Sequence, residues 1–133
     1  MTTRDYKNSE SYKKGIEYFL SKYDPKHIEI IEKLYAFSPA LTDVVVSHGL
    51  TDIWKNKTPN LTDREKEIAT LSSLITSCTV HSEIKAHVKC LLNLGMTQDQ
   101  IKELLILLTL YIGVPKVIVA SRLAEEAFKE HDE

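Results

Sequence analysis

The stretch from Leu61 to Pro115 reads LTDREKEIATLSSLITSCTVHSEIKAHVKCLLNLGMTQDQIKELLILLTLYIGVP, and its punctuation leaves little choice of fold. Thr62 is followed three residues later by Glu65, and Thr97 by Gln100. Each pair is a capping box, in which hydroxyl and acid or amide side chains satisfy backbone N–H groups that a helix start leaves unpaired. Gly95 and Gly113 stand where helices should stop, because glycine leaves a helix without steric penalty. Between these signals Ile68, Leu71, Ile75 and Cys78 recur at helical spacing, as do Ile84, Val88, Leu91 and Leu92. The stretch therefore holds three consecutive helices. The first is capped by Thr62 and keeps Cys78 on its buried stripe. The second runs from His81 or Ser82 to Leu94, with Ser82 the better cap by residue type. The third runs from Thr97 to Gly113.

The flanks read the same way. Residues 1–8 form a loose polar tail. A helix opens at Ser9 or Ser11 and carries Ile16, Phe19, Leu20 and Tyr23 on one face. Pro25 suits the first turn of the next, with Ile28, Ile31, Leu34 and Tyr35, which Ser38-Pro39 ends. A further helix is expected from about Pro39 to Trp54, lined by Leu41, Val44, Val45 and His48 and loosened at Gly49. Lys55–Asn60 (KNKTPN) is expected as a loop. The last helix starts at Pro115 and places the small residues Ala120, Ser121, Ala124 and Ala127 beside Val117. Its charged end, EEAFKEHDE, is expected to fray. No run alternates as a half-buried strand does. The chain therefore reads as one all-α domain over residues 1–133, about seven helices arranged as antiparallel hairpins.

The helix IKELLILLTLYI is apolar on nearly every side after Glu103. A helix apolar all round is surrounded by protein, so part of its surface is expected to meet another subunit. The formal net charge of −2, from 17 basic and 19 acidic residues, gives a polyanion nothing to hold, and nucleic acid is not an expected partner. The longest apolar run, Leu104–Val114, falls short of the roughly 20 residues that span a bilayer. With a polar N-terminus as well, no membrane association is expected, and the chain reads as cytoplasmic. Two cysteines, Cys78 and Cys90, make no disulfide framework.

The chemistry concentrates on the fifth helix. At about 100° per residue, Glu83, His87, Cys90 and Leu94 share a stripe beside the apolar one. A carboxylate one turn from an imidazole can fix its tautomer and favour its charged form, as a general acid or base needs. The plainer alternative is a surface pair. Glu67 sits at the edge of the preceding helix's buried stripe. It is either a solvated carboxylate paired with Arg64 or a desolvated one across the hairpin from His87. A metal site is not expected: His81 lies about 240° around the helix from His87, and no HExxH is present. Cys90 and Cys78 read as small apolar residues, although Cys90 lies close enough to His87 for an imidazole to lower its thiol pKa.

The segments TDIW, LTDREKEI, EIKAH with LLNLGMT, and IKELL with LYIGVP occur in an order and spacing that resembles the carboxymuconolactone decarboxylase family, of the alkylhydroperoxidase-like helical fold. The likeness covers most of the chain and is strongest over residues 52–128. It implies a trimer or hexamer with pockets near subunit contacts. It also implies an activity that needs no metal or organic cofactor, converting 4-carboxymuconolactone to the 3-oxoadipate enol-lactone in the protocatechuate branch of aromatic catabolism. Glu67 and His87 match polar positions of that family. On the resemblance, His87 supplies the proton, Glu67 and Glu83 set its charge and orientation, Trp54 joins the substrate pocket, and Arg122 or Lys85 holds substrate carboxylates. Peroxidase relatives carry a CxxC cysteine where this chain has Glu83, so a thiol-dependent hydroperoxide reductase would have to use Cys90 or Cys78. Leu107 stands where decarboxylases often show histidine, and Thr51-Asp52 where they show Gly-Asp. A non-catalytic oligomer that binds a small molecule is the remaining alternative.

Overall fold

In the computed structural model, which describes residues 4–133, every regular element among the described residues is helical. They group into two compact units, Met1–Leu61 and Thr62–Glu133.

In the first unit, α1 (Glu10–Lys22) starts at Ser9, whose hydroxyl oxygen accepts the Tyr12 N–H. Of the polar tail expected over residues 1–8, residues 1–3 lie outside the described ones, and Tyr6 packs against the core. A single 3₁₀ turn, Pro25–His27, leads into α2 (Ile28–Phe37). Ser38 then caps α3 (Pro39–Asp43) by accepting the Leu41 N–H.

The α-helix expected to continue to Trp54 does not form. From Val44 to Lys57 the backbone runs as a π-helix, closed by i→i+5 bonds. The wider turn changes which residues face inward. Val46 and Thr51, five apart, are buried, while the α-spaced set Leu41, Val44, Val45 and His48 is exposed. Residues 55–57 of the expected loop belong to this helix, and the loop begins at Thr58, whose hydroxyl donates to the Ile53 and Trp54 carbonyls. Close packing on α1 fixes the register. The Thr51 hydroxyl donates to the Ser11 carbonyl at 2.5 Å, and Gly15 leaves room for the Val46 backbone. Tyr12, Phe19, Ile31 and Val46 form the core, with Tyr12 and Tyr35 edge to face at 6.1 Å.

The second unit holds α4 (Asp63–Ser77), α5 (His81–Asn93), α6 (Gln98–Ile112) and α7 (Val114–Asp132). Both capping boxes are formed, at Thr62 with Glu65 and at Thr97 with Gln100. Cys78 does not continue the buried stripe of α4. It ends the helix in the left-handed region at φ 54°, half-buried. Nor does Ser82 cap α5: the helix starts after Val80 with no side-chain cap, and Ser82 lies in its first turn. At the far end Gly95 (φ 88°) completes a Schellman motif, in which Met96 N–H donates to Leu91 O and Gly95 N–H to Leu92 O, each at 3.0 Å.

Long-range bonds define the directions. Arg64 at the start of α4 donates to Leu94 O at the end of α5, so these helices are antiparallel. Gln98 at the start of α6 donates to Asp132 at the end of α7, so these are antiparallel too. His131 and Asn93 meet at matching ends, which makes α5 and α7 parallel. The core draws Leu71 and Ile75 from α4, Ile84, Val88 and Leu91 from α5, and Ile101 and Leu105 from α6. Ala120, Ala124 and Ala127 of α7 let its neighbours approach, while Ser121 faces outward. The expected frayed end is instead helical to Asp132, because Phe128 is buried and anchors it. No helix among the described residues is long and apolar enough to cross a membrane.

A methyl group added at residue 15 would sit 2.5 Å from Val46 O and 2.9 Å from Thr51 Oγ1. Gly15→Ala is therefore expected to destabilise the first unit by about 1–3 kcal/mol, the usual cost of overpacking, read as a lower urea midpoint.

Candidate active site

Glu67 occupies the one position of the 67, 71, 75 stripe on α4 that is not apolar. It is as buried as its neighbours, with 0% of its surface exposed. Placing a carboxylate there without a partner would be costly. The partner is His87 on α5, whose Nδ1 lies 2.5 Å from Glu67 Oε2. The surface pair of Glu67 with Arg64 is not formed. Arg64 is used instead on the Leu94 carbonyl, which locks the α4–α5 hairpin in the register that brings residues 67 and 87 together.

A nitrogen and an oxygen this close must share a proton. The bond therefore occupies Nδ1 and leaves Nε2 as the nitrogen able to exchange protons with anything else. The His87 side chain is 12% exposed. Nε2 faces Glu83, one turn earlier, at 4.0 Å, and that carboxylate is 52% exposed. The site is thus graded from a dry acid, through a sheltered imidazole, to a wet acid. A buried carboxylate behind an imidazole fixes its orientation and leaves the outer nitrogen facing away from the core.

The remaining candidates separate. Cys90 lies on the His87 stripe but is only 2% exposed, and buried thiols of this kind are inert. Cys78 is half-buried at the hairpin turn, and neither cysteine is in a disulfide. His81 is exposed at the start of α5. No group of three or more His, Cys, Asp or Glu among the described residues could hold a metal ion. Arg122 is on the exposed side of α7. Trp54 belongs to the first unit, where the buried Lys22 ammonium stands 3.9 Å from its ring centroid. Leu107 is exposed on α6.

Lys85 is not available to a substrate carboxylate. Its Nζ lies 2.7 Å from Glu130 and 3.3 Å from Glu126, and Lys89 also contacts Glu130. Hydrogen bonding to Glu130 raises the Lys85 pKa above its ordinary value. The same contacts, from Lys85 and then Lys89, lower the Glu130 carboxyl to about 2 from 4.5. The sequence does carry a signal for this ladder: Lys85 and Lys89, like Glu126 and Glu130, are four apart.

The carboxymuconolactone decarboxylase family model matches residues 39–126, a span that contains Glu67, Glu83 and His87. A 4-carboxymuconolactone decarboxylase from Acinetobacter baylyi (strain ATCC 33305 / BD413 / ADP1) is 27% identical over 124 residues, 92% of this chain and 90% of its own.

Because the Glu130 pKa is depressed on folding, its pairs contribute stability that is complete above about pH 4.5 and is lost as pH falls toward about 2. Glu130→Gln should accordingly be less stable than the wild type at pH 6, with the difference narrowing steadily as pH falls below about 4.5 toward about 2, as measured by urea unfolding across that range.

Proposed function

The chain belongs to the carboxymuconolactone decarboxylase family, and from that premise we propose that it is a lyase removing CO₂ from a small carboxylated lactone of the 4-carboxymuconolactone type. The observation that carries this reading is the 2.5 Å bond between the fully buried Glu67 and the sheltered ring of His87. The name of the Acinetobacter relative supports the choice of substrate class.

In the proposed reaction the carbon–carboxylate bond breaks and CO₂ departs. The electron pair left behind spreads into the conjugated lactone carbonyl. His87, charged and held by Glu67 at Nδ1, gives its Nε2 proton to carbon and is left neutral. Glu83, 4.0 Å from Nε2 and open to solvent, returns a proton for the next turnover. Electrons and protons balance without a redox partner. This role would set the protein in aromatic catabolism, and two cysteines outside any disulfide suit the reducing cytoplasm.

We further propose assembly into the trimer or hexamer expected of the family, through the outward face of α6. Ile106, Leu110 and Tyr111 are 70%, 79% and 77% exposed there, and Leu107 and Val114 extend the patch. An apolar surface of this kind marks an interaction site.

Turnover is expected to appear as loss of the substrate's absorbance with purified protein. His87→Ala should fall to background. Glu67→Gln should lose about 10²-fold or more in kcat, as general acid catalysis is worth roughly 10²–10⁴-fold. Glu83→Gln should lose less. An undiminished rate in His87→Ala would reject the reading.

The assembly has its own check. Sedimentation velocity should show an oligomer for the wild type and a monomer for the Leu110→Glu, Tyr111→Glu double variant. A monomeric wild type would rule the interface out.

A further inference from the structure

The fifth helix is gripped along three lines. Its apolar stripe, Ile84, Val88 and Leu91, enters the core. At about 100° per residue, His87 lies on one flank of that stripe and Lys85 and Lys89 on the other. On the His87 flank the helix is tied to α4 by Glu67. On the lysine flank it is tied to α7 by Lys85–Glu126, Lys85–Glu130 and Lys89–Glu130. Because α5 and α7 are parallel, the lysines and acids meet in matching steps of four residues. Lys85 and Lys89 are 24% and 29% exposed at their side chains, more sheltered than ordinary surface lysines.

We infer that this charge ladder fixes the rotation of α5 about its own axis, and that Glu130, which holds both lysines, is a positioning residue for His87. Apolar contacts resist separation of helices but tolerate small rotations, since they have no preferred direction. Charge-assisted hydrogen bonds do have direction and are short in reach. A rotation of about 10° carries an atom about 6 Å off the helix axis through about 1 Å. That is enough to lengthen the Nδ1 bond to Glu67 and to misdirect Nε2. A misplacement of about 1 Å can cost up to about 10²-fold in rate. The ladder therefore acts on the reaction through the imidazole, with no contact to substrate.

The inference rests on the decarboxylase reading only for its kinetic arm. Its decisive readout is the proton shared by His87 and Glu67, whose NMR resonance lies far downfield for so short a bond, and which His87→Gln assigns by its loss. Glu130→Gln should move that resonance upfield or broaden it away. Lys85→Met with Lys89→Met, which keeps the aliphatic stems, should do the same from the other side. Glu125→Gln makes the same charge change on the same helix, where Glu125 pairs only with Lys129 of the described lysine contacts, and should leave the resonance in place. In the kinetic arm, kcat should fall about tenfold in Glu130→Gln with KM unchanged. A resonance in Glu130→Gln that coincides with that of Glu125→Gln would overturn the inference. A wild type without turnover would instead reject the decarboxylase reading, and the resonance would still decide the positioning.

Discussion

A carboxylate with no exposed surface cannot stand in an apolar stripe by itself. Glu67 occupies such a place, flanked along α4 by Leu71 and Ile75. Its charge would be expelled, or its proton retained, unless something nearby answers it. His87 answers it at 2.5 Å. The second unit can be understood as the set of constraints that keeps this contact in place. The capping box at Thr62 sets where α4 begins, and so which residues reach the stripe. Arg64 on the Leu94 carbonyl sets the pairing of α4 with α5. The Schellman turn at Gly95 supplies that carbonyl at a fixed helix end. Loss of either partner of a buried pair leaves the other uncompensated, whereas loss of an exposed pair such as Lys14–Glu10 leaves two solvated groups.

Exposure also separates what the charged residues can do. Glu67 acts on His87 in a dry site, where its field is little screened. Glu83 is half in water. The ladder of Lys85, Lys89, Glu126 and Glu130 lies between these cases and joins two helices rather than holding a proton. All three arrangements use residues from one thirteen-residue helix. α5 is thus the element on which the buried pair, the exposed acid and the packing of the unit meet.

Much of this is legible in the chain. Capping boxes and terminal glycines are local, and the four helices of the second unit begin and end close to where those signals stand. The all-α class comes from periodicity alone. The contact of Glu67 with His87 is one of two readings of its position, and only the hairpin register, set by long-range bonds, decides between them. The misreadings have a common cause. Val44–Lys57 carries an α-like pattern, but its inward residues Val46 and Thr51 are chosen by the gap at Gly15 on another helix. Ser82 is a better cap than Val80 by type, yet after the left-handed turn at Cys78 the helix α5 starts two residues earlier than a Ser82 cap would place it. Lys85 looks available to a substrate because its partners lie 41 and 45 residues away. Local propensity cannot see such distances.

Leu107 gives the sharpest constraint on the proposed chemistry. The family resemblance leads one to look for a second imidazole there, and the leucine instead lies on the outward face of α6 with Ile106, Leu110 and Tyr111. His87 then has to donate a proton and recover one without help from residue 107. Such an economy requires that the inner carboxylate hold the ring without ever exchanging with water, and that the outer one exchange freely. Glu67, with no exposed surface, and Glu83, with half of its own, meet those two requirements. In the proposed reaction the asymmetry between the acids, rather than the number of imidazoles, would let one ring serve both halves of a proton cycle.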